Sequence, residues 1–228
     1  RMSSGSRINS AADDAAGLAV STKLETTISS SKVASDNVAI GSNLLDSAEG
    51  TLDVVLENLQ RIRDLAEQAA NGTYSGADID AIKAEAVARA NEIDKLTGSA
   101  TFNGKKLFGD TSTTGAGSVG VTLQVGTEGS DTMNLSKDIF ASATVTGLKL
   151  VGQTGTGHVA TVADAFASST TANTFLADCD VAIKNLTDRQ TKIGAAKNAL
   201  TAAADGLIVQ QNNLTAANST IKDADVAE

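Results

Sequence analysis

Proline is missing from the chain, so no helix has to break around a residue that cannot donate its backbone N–H. Tryptophan is missing as well, and aromatic residues make up only 3%. The apolar fraction, 41%, is therefore mostly Ala, Leu, Ile and Val. Such side chains fill narrow helix–helix seams and make poor walls for a ligand pocket. A single cysteine, Cys179, excludes an intrachain disulfide and any multi-cysteine metal site. A single histidine, His158, leaves no His-x-x-x-His metal pair and no Ser–His triad. The chain has neither a phosphate-cradling Gly loop with Lys nor a strand–GxGxxG–helix unit, and no cofactor is expected. No apolar run approaches the roughly 18–20 residues of a membrane span. Basic residues are outnumbered, 18 against 27 acids, and the net charge of −9 argues against nucleic acid or an anionic membrane as partner. The chain opens at Arg1 and not at a start Met, so it reads as an excised piece whose lack of a signal peptide carries little weight.

What is present divides into three zones. Residues 11–109 and 176–228 are Ala/Leu-rich and helical in pattern, whereas 110–175 holds 9 Gly, 14 Thr and 7 Ser with only Lys137 and Lys149 as basic groups. In the first zone Leu45, Ala48, Leu52, Val55, Leu59, Ile62, Ala66 and Ala69 alternate at spacings of three and four, which puts all eight on one helix seam. The phase continues weakly backward through Val38, Leu24 and Val20. One helix from about Ala15 to Ala70, roughly 80 Å long, is expected. The stretch "NGTYSGAD" ends it, because Asn71 and Gly72 tolerate the left-handed conformation that closes a helix. A second helix is predicted from Ser75–Asp78 to about Gly98, burying Ile79, Ile82, Ala86, Ile93 and Leu96.

The last zone is more regular. Cys179, Leu186, Ile193, Leu200, Leu207, Leu214 and Ile221 recur every seven residues, with Ala182, Ala196, Ala203 and Ala217 in the companion positions and Arg189 and Gln210 as departures. Alternating large and small residues suit tight antiparallel packing, and Cys179 reads as one more apolar knob. The middle zone has period two: Val119, Val121, Leu123 and Val125 alternate, then "GTEGSD" turns into "TMNLS", a hairpin signal. "ATVTGLKLVG" (143–152) supplies another expected strand. The fold class is therefore mainly α with a small β part: an elongated antiparallel bundle of long helices with a β-hairpin docked on it.

Only carboxylate pairs remain as candidate chemistry: Asp13/Asp14, Asp178/Asp180 and Asp223/Asp225. Each lies on or beside an Ala-rich helix with no aromatic wall to raise a pKa, and their spacing does not follow a Ca²⁺-binding loop. Asp13 and Asp14 read instead as acids at the positive end of a helix dipole. An enzyme is not expected.

The residues then resemble a known family. "SSGSRINSAADDAAGLAVS" (Ser3–Ser21), "LLDSAEGTLDVVLENLQRIRDLAEQAANGT" (Leu44–Thr73), "FNGKKLF", "LQVG", "AIKNLTDRQTKIGAAKNAL" and "NLTAANSTIKDADVAE" are similar, in order, to segments of bacterial flagellin. The resemblance covers about three quarters of the chain, with a short central region. It implies a structural subunit of the flagellar filament serving motility. Such a subunit is secreted through the flagellum's own export channel, works outside the cell, and has an export chaperone, the filament cap and other flagellin subunits as partners. It divides the chain into 1–109, the N-terminal part of a helical rod domain; 110–175, a central β/loop region; and 176–228, the C-terminal helix that completes the rod. Family members also carry terminal helices forming an inner tube, and both are mostly missing here, so the chain is expected to fold without polymerising. "RINSAADDAAGLA", with Arg7, Asn9, Asp13 and Asp14, then reads as a subunit contact at the junction to that tube. The stretch "QRIRDLA" resembles the segment that a flagellin-sensing Toll-like receptor recognises, which makes Arg61, Leu65 and Glu85 the implied receptor contacts. Asp64 stands where many recognised flagellins carry Glu. The competing reading is a cell-surface adhesin that binds polysaccharide through the Thr/Ser/Gly-rich centre; the scarcity of aromatic rings there speaks against it.

Overall fold

The computed structural model describes residues 8, 10, 12–109, 120–152 and 159–223. Among these, the elements run α1 (Ala15–Ala70), α2 (Gly76–Ser99), β1 (Thr101–Phe102), β2 (Lys105–Lys106), β3 (Val121–Gln124), β4 (Thr132–Leu135), α3 (Val162–Ala165) and α4 (Ser169–Lys222). The chain is mainly α with small strand pairs, as its heptads and its lack of proline require. It divides into two compact units, one of Arg1–Ser42, Thr122–Met133 and Lys197–Glu228, the other of Asn43–Val121 and Asn134–Ala196. Each unit draws on α1, on the central zone and on α4.

In the second unit all eight residues of the Leu45–Ala69 seam are at most 3% exposed. Cys179, Leu186 and Ile193 on α4 are fully buried. Arg63 Nε donates to Asp180 Oδ1 at 2.8 Å and Gln190 Nε2 donates to Asp53 Oδ1 at 2.7 Å. Residue numbers rise on α1 as they fall on α4, so the two helices run antiparallel here. Helix α2 opens with a capping box: Ser75 Oγ accepts from Asp78 N, and Asp78 Oδ2 accepts from Ser75 N at 3.1 Å. It buries Ala86, Ala90, Ile93 and Thr97, whereas Ile79, Ile82 and Leu96 end up only half-buried. Phe166 meets Phe175 edge to face, ring centroids 6.2 Å apart.

Two further expectations fail in this unit. The helix α1 does end at Ala70, but neither Asn71 nor Gly72 has positive φ. The end is closed by a tightened turn in which Asn71 N donates to Gln68 O at 3.1 Å. The stretch 143–152 is not a strand either. Leu148 N donates to Thr144 O, Lys149 N to Thr146 O and Leu150 N to Val145 O, and Lys149 takes φ +66°. These turns place Ala143, Val145, Leu148, Leu150 and Val151 all in the core, where an extended strand would alternate. The wrap is held from both sides: Asp94 Oδ1 accepts from Val145 N, Asn185 Nδ2 donates to Leu148 O, and Arg189 donates to the carbonyls of Ala141 and Ser142.

The first unit has a smaller and more polar seam. Its buried positions on α1 are Ser21, Ser31, Ala34, Val38 and Gly41, and on α4 Leu200 and Leu207. Leu214 and Ile221 are half-buried, and Val20, expected on the seam, is 49% exposed. Its neighbour Ser21 turns inward instead and donates to Asn218 Oδ1 at 2.7 Å. Lys222 Nζ reaches Glu25 Oε1 at 2.6 Å, and that amine holds the Glu25 carboxyl below its usual range. The expected hairpin forms from β3 and β4, with Val125 N donating to Asp131 O at its tip. It docks through Leu123, whose Cδ1 lies only 2.3 Å from where a Cβ on Gly41 would stand. Only glycine leaves the α1 backbone open to that methyl group.

Candidate recognition surface

Helix α1 is flanked by two partners in the second unit, and its buried arc is correspondingly wider than the a/d seam. Asn58 and Leu65, seven residues apart, join Leu59, Ile62 and Ala66 in the interior at 4% and 1% exposure. Arg61, one turn from each, marks the edge of that arc. Its guanidinium forks onto Glu85 of α2, Nε to Oε1 at 2.7 Å and Nη2 to Oε2 at 3.0 Å. The two side chains keep 40% and 37% of their surface exposed. Arg89 stands 4.0 Å from the same carboxylate and donates through Nη1 to Asn58 Oδ1 at 3.2 Å. Asn58 Nδ2 in turn donates to Val54 O.

Two guanidinium groups thus converge on one carboxylate, anchored from below by a buried amide. Hydrogen bonding to Glu85 pushes the Arg61 pKa further up, and hydrogen bonding from Arg61 pulls that of Glu85 down. Both stay ionised across the neutral range, which suits recognition of a polar partner and not proton transfer. Arg61 and Glu85 are therefore brought together, as the resemblance implied, but Leu65 is not with them on the surface: it is buried, at 1% exposure. Arg89 and Asn58 escaped sequence reasoning. The signals were the Glu85-to-Arg89 spacing of four, acid before base, and the seven-residue step from Asn58 to Leu65.

The second group of candidates lies at the start of α1. Asp14 caps the helix: its Oδ1 accepts from Ala16 N at 3.0 Å and Gly17 N at 2.9 Å. Asp13 Oδ2 accepts from Ser10 N and Ser10 Oγ. Gly17 makes room for this fold-back, since a Cβ there would stand 2.5 Å from Asp14 Oδ2 and 2.6 Å from Ile8 Cδ1. Arg7 and Asn9 lie outside the described residues, as do Asp225 and His158. Asp178 is buried and Asp180 binds Arg63. Cys179 is fully buried, and burial pushes its thiol up to about 12.

Comparison with known proteins places this geometry. A family model described as the bacterial flagellin N-terminal helical region matches residues 1–113, and one described as the C-terminal helical region matches 176–228. Flagellin of Salmonella muenchen is 36% identical over 209 residues, covering 89% of this chain and 38% of its own length. The flagellar filament 30.7 kDa core protein of Treponema maltophilum is 34% identical over 232 residues, covering 100% of this chain and 78% of its own. The crystal structure of Bacillus cereus flagellin superposes with a TM-score of 0.62 at 27% identity, covering 80% of this chain and 94% of that one. The chain thus spans well under half of the Salmonella relative.

Proposed function

The chain belongs to the bacterial flagellin family, whose members are structural proteins, and we propose that it serves as a subunit of the flagellar filament, exported through the flagellum's own channel and acting outside the cell. Residues 1–109 and 176–228 carry most of its helical rod, and the central β/loop region 110–175 also supplies α3 and the first turns of α4. The supporting observation is where the apolar surface goes once the seams are closed. Most heptad positions of α1 and α4 close within each unit, yet Val20, Val33, Ile40, Ile208 and Val209 in the first and Val54 and Val181 in the second stay 40–59% exposed. On this reading these outward apolar side chains are the contact positions for neighbouring subunits. Asp13 and Asp14, with Arg7 and Asn9, belong to the same contact surface at the start of α1. The export chaperone and the filament cap are the transient partners of this route.

A chimera tests the reading. The matching segment of the Bacillus cereus flagellin gene is replaced by this chain and expressed in a strain without its own flagellin. Filaments on the cell surface are expected; a folded, secreted chimera that never assembles would refute it.

The paired Arg61 and Glu85 favour a second role on the same molecule, contact with a host Toll-like receptor. Charge-paired side chains fixed by a bidentate bond offer a partner both signs of charge at little ordering cost. Leu65, one turn from Arg61 on α1, is buried at 1% exposure. Arg61→Ala should abolish most receptor signalling in a reporter cell line, and an unchanged response would count decisively against this role.

A further inference from the structure

Two Asn–Gly pairs lie at exposed turns, Asn71–Gly72 between α1 and α2 and Asn103–Gly104 between β1 and β2. Such a pair carries its own chemistry. The glycine backbone nitrogen attacks Cγ of the asparagine carboxamide, the C–NH2 bond breaks, and the glycine N–H proton leaves on the departing ammonia. The succinimide that forms is then opened by water at either carbonyl, giving aspartate or isoaspartate. Nothing lies within 4 Å of where a Cβ would stand on either glycine, so both turns are open on that side.

The backbone separates the two sites. Asn103 and Gly104 hold φ of +49° and +76°, the left-handed pair of a tight hairpin. Thr101 pairs with Lys106 and Phe102 with Lys105, and Leu107 N donates to Ala100 O just outside. Rotating Asn103 toward attack has to dismantle that ladder. Asn71 is under no such restraint. It follows the last turn of α1 and is held by Asn71 N to Gln68 O. In addition, Thr73 Oγ1 donates to Asn71 Oδ1 at 3.2 Å. That oxygen takes on negative charge as the nitrogen adds to Cγ, and a hydroxyl already bonded to it stabilises the charge as it develops.

We propose that Asn71 is a site of spontaneous deamidation, assisted by the Thr73 hydroxyl, and that Asn103 is protected by its hairpin. The product changes the local electrostatics. Asn71 lines a surface cleft of about 370 Å³ with Asp64, Glu67, Gln68 and Tyr74. A carboxylate at position 71 is a third acid in that cleft and sits at the negative end of α1, whose last turn has no basic residue. The isoaspartate form also inserts a methylene into the backbone between two helices. Deamidation therefore frays the end of α1 and loosens its turn into α2. This inference does not depend on the filament reading.

The test is incubation of the whole chain at mildly alkaline pH with timed peptide mapping by mass spectrometry, and isoaspartate read by enzymatic methylation. The expected result is replacement of NH2 by OH at Asn71 about tenfold faster than at Asn103. Thr73→Val should slow it several-fold and Gly72→Ala should nearly stop it, with circular dichroism confirming that both variants keep their helices. Equal rates at the two sites, or Asn103 ahead, overturn the proposal. So does a Thr73→Val chain that deamidates at the parent rate, or an Asn71 that stays intact while a free peptide of the same local sequence converts.

Discussion

Arg189 breaks the apolar seam of α4, and replacing it by Met, which keeps the length and removes the donors, should release the wrap over 143–152. Its guanidinium donates Nη1 to Ala141 O at 2.8 Å and Nη2 to Ser142 O at 2.9 Å, and burial lowers its pKa from the ordinary arginine value. A hydrogen bond to a charged donor contributes about 1.5–3 kcal/mol, so two give a gross loss of about 3–6 kcal/mol. Part of this returns, because the guanidinium no longer has to be desolvated and water can reach two half-buried carbonyls. A net loss of about 2–3 kcal/mol remains, or about 4–12 °C in Tm for a chain of this size. Arg189→Lys should fall between, since an ammonium presents a point charge in place of the planar fork. Hydrogen exchange provides the local assay. The amides of Leu148, Lys149 and Leu150, bonded within the wrap at 2.9–3.0 Å, should lose protection before those of α2. A stability change under about 0.5 kcal/mol with unaltered exchange in this stretch would refute the reasoning.

Three further outcomes are expected. Asp14→Ala should lower the urea midpoint, with a loss of about 1 kcal/mol from the α1 cap, while Asp14→Asn keeps most of it. Glu25, Asp78, Glu85 and Asp138 all titrate below their ordinary values of 4.5 and 3.8, held there first by hydrogen bonds from Lys222, Ser75, Arg61 and Lys192 respectively. Their contribution is complete above those ordinary values and is lost as pH falls through the lower folded ones, so the urea midpoint should be flat above about pH 5 and drop below it; a midpoint that rises on acidification contradicts the assignment. Cys179, with a thiol pushed up to about 12 in a fully buried seam, should resist a thiol reagent at neutral pH and react at once in denaturant; fast labelling of the native chain would show that the seam opens.

The long seams could be read from residue order because nothing interrupts them: without proline, a strict alternation of three and four leaves a helix little choice of face. The hairpin was equally legible from its period of two. What escaped was set by neighbours and not by local pattern. Leu65 and Asn58 turned inward because α2 covers a second side of α1, and a single helix seam cannot announce how many partners it will meet. At the other end Ser21 displaced Val20 from the seam because a hydroxyl there finds Asn218. The wrap over 143–152 alternates like a strand in its letters, yet Asp94, Asn185 and Arg189, remote in sequence, hold it in turns. The nearness of Arg61 and Glu85 came from family resemblance; spacing alone cannot bring residues of two helices together, and the Arg89 and Asn58 contacts behind them arise only from the packing of α2 on α1.

The α1 and α4 seams close on each other within one chain, which leaves the outward apolar positions for neighbouring subunits. Sedimentation equilibrium on the chain tests this most directly. Intrachain pairing predicts a monomer of 23.0 kDa that keeps its full helical signal on dilution. A stable dimer whose helicity falls away as it dissociates would mean that the heptads pair between chains, and would contradict the account.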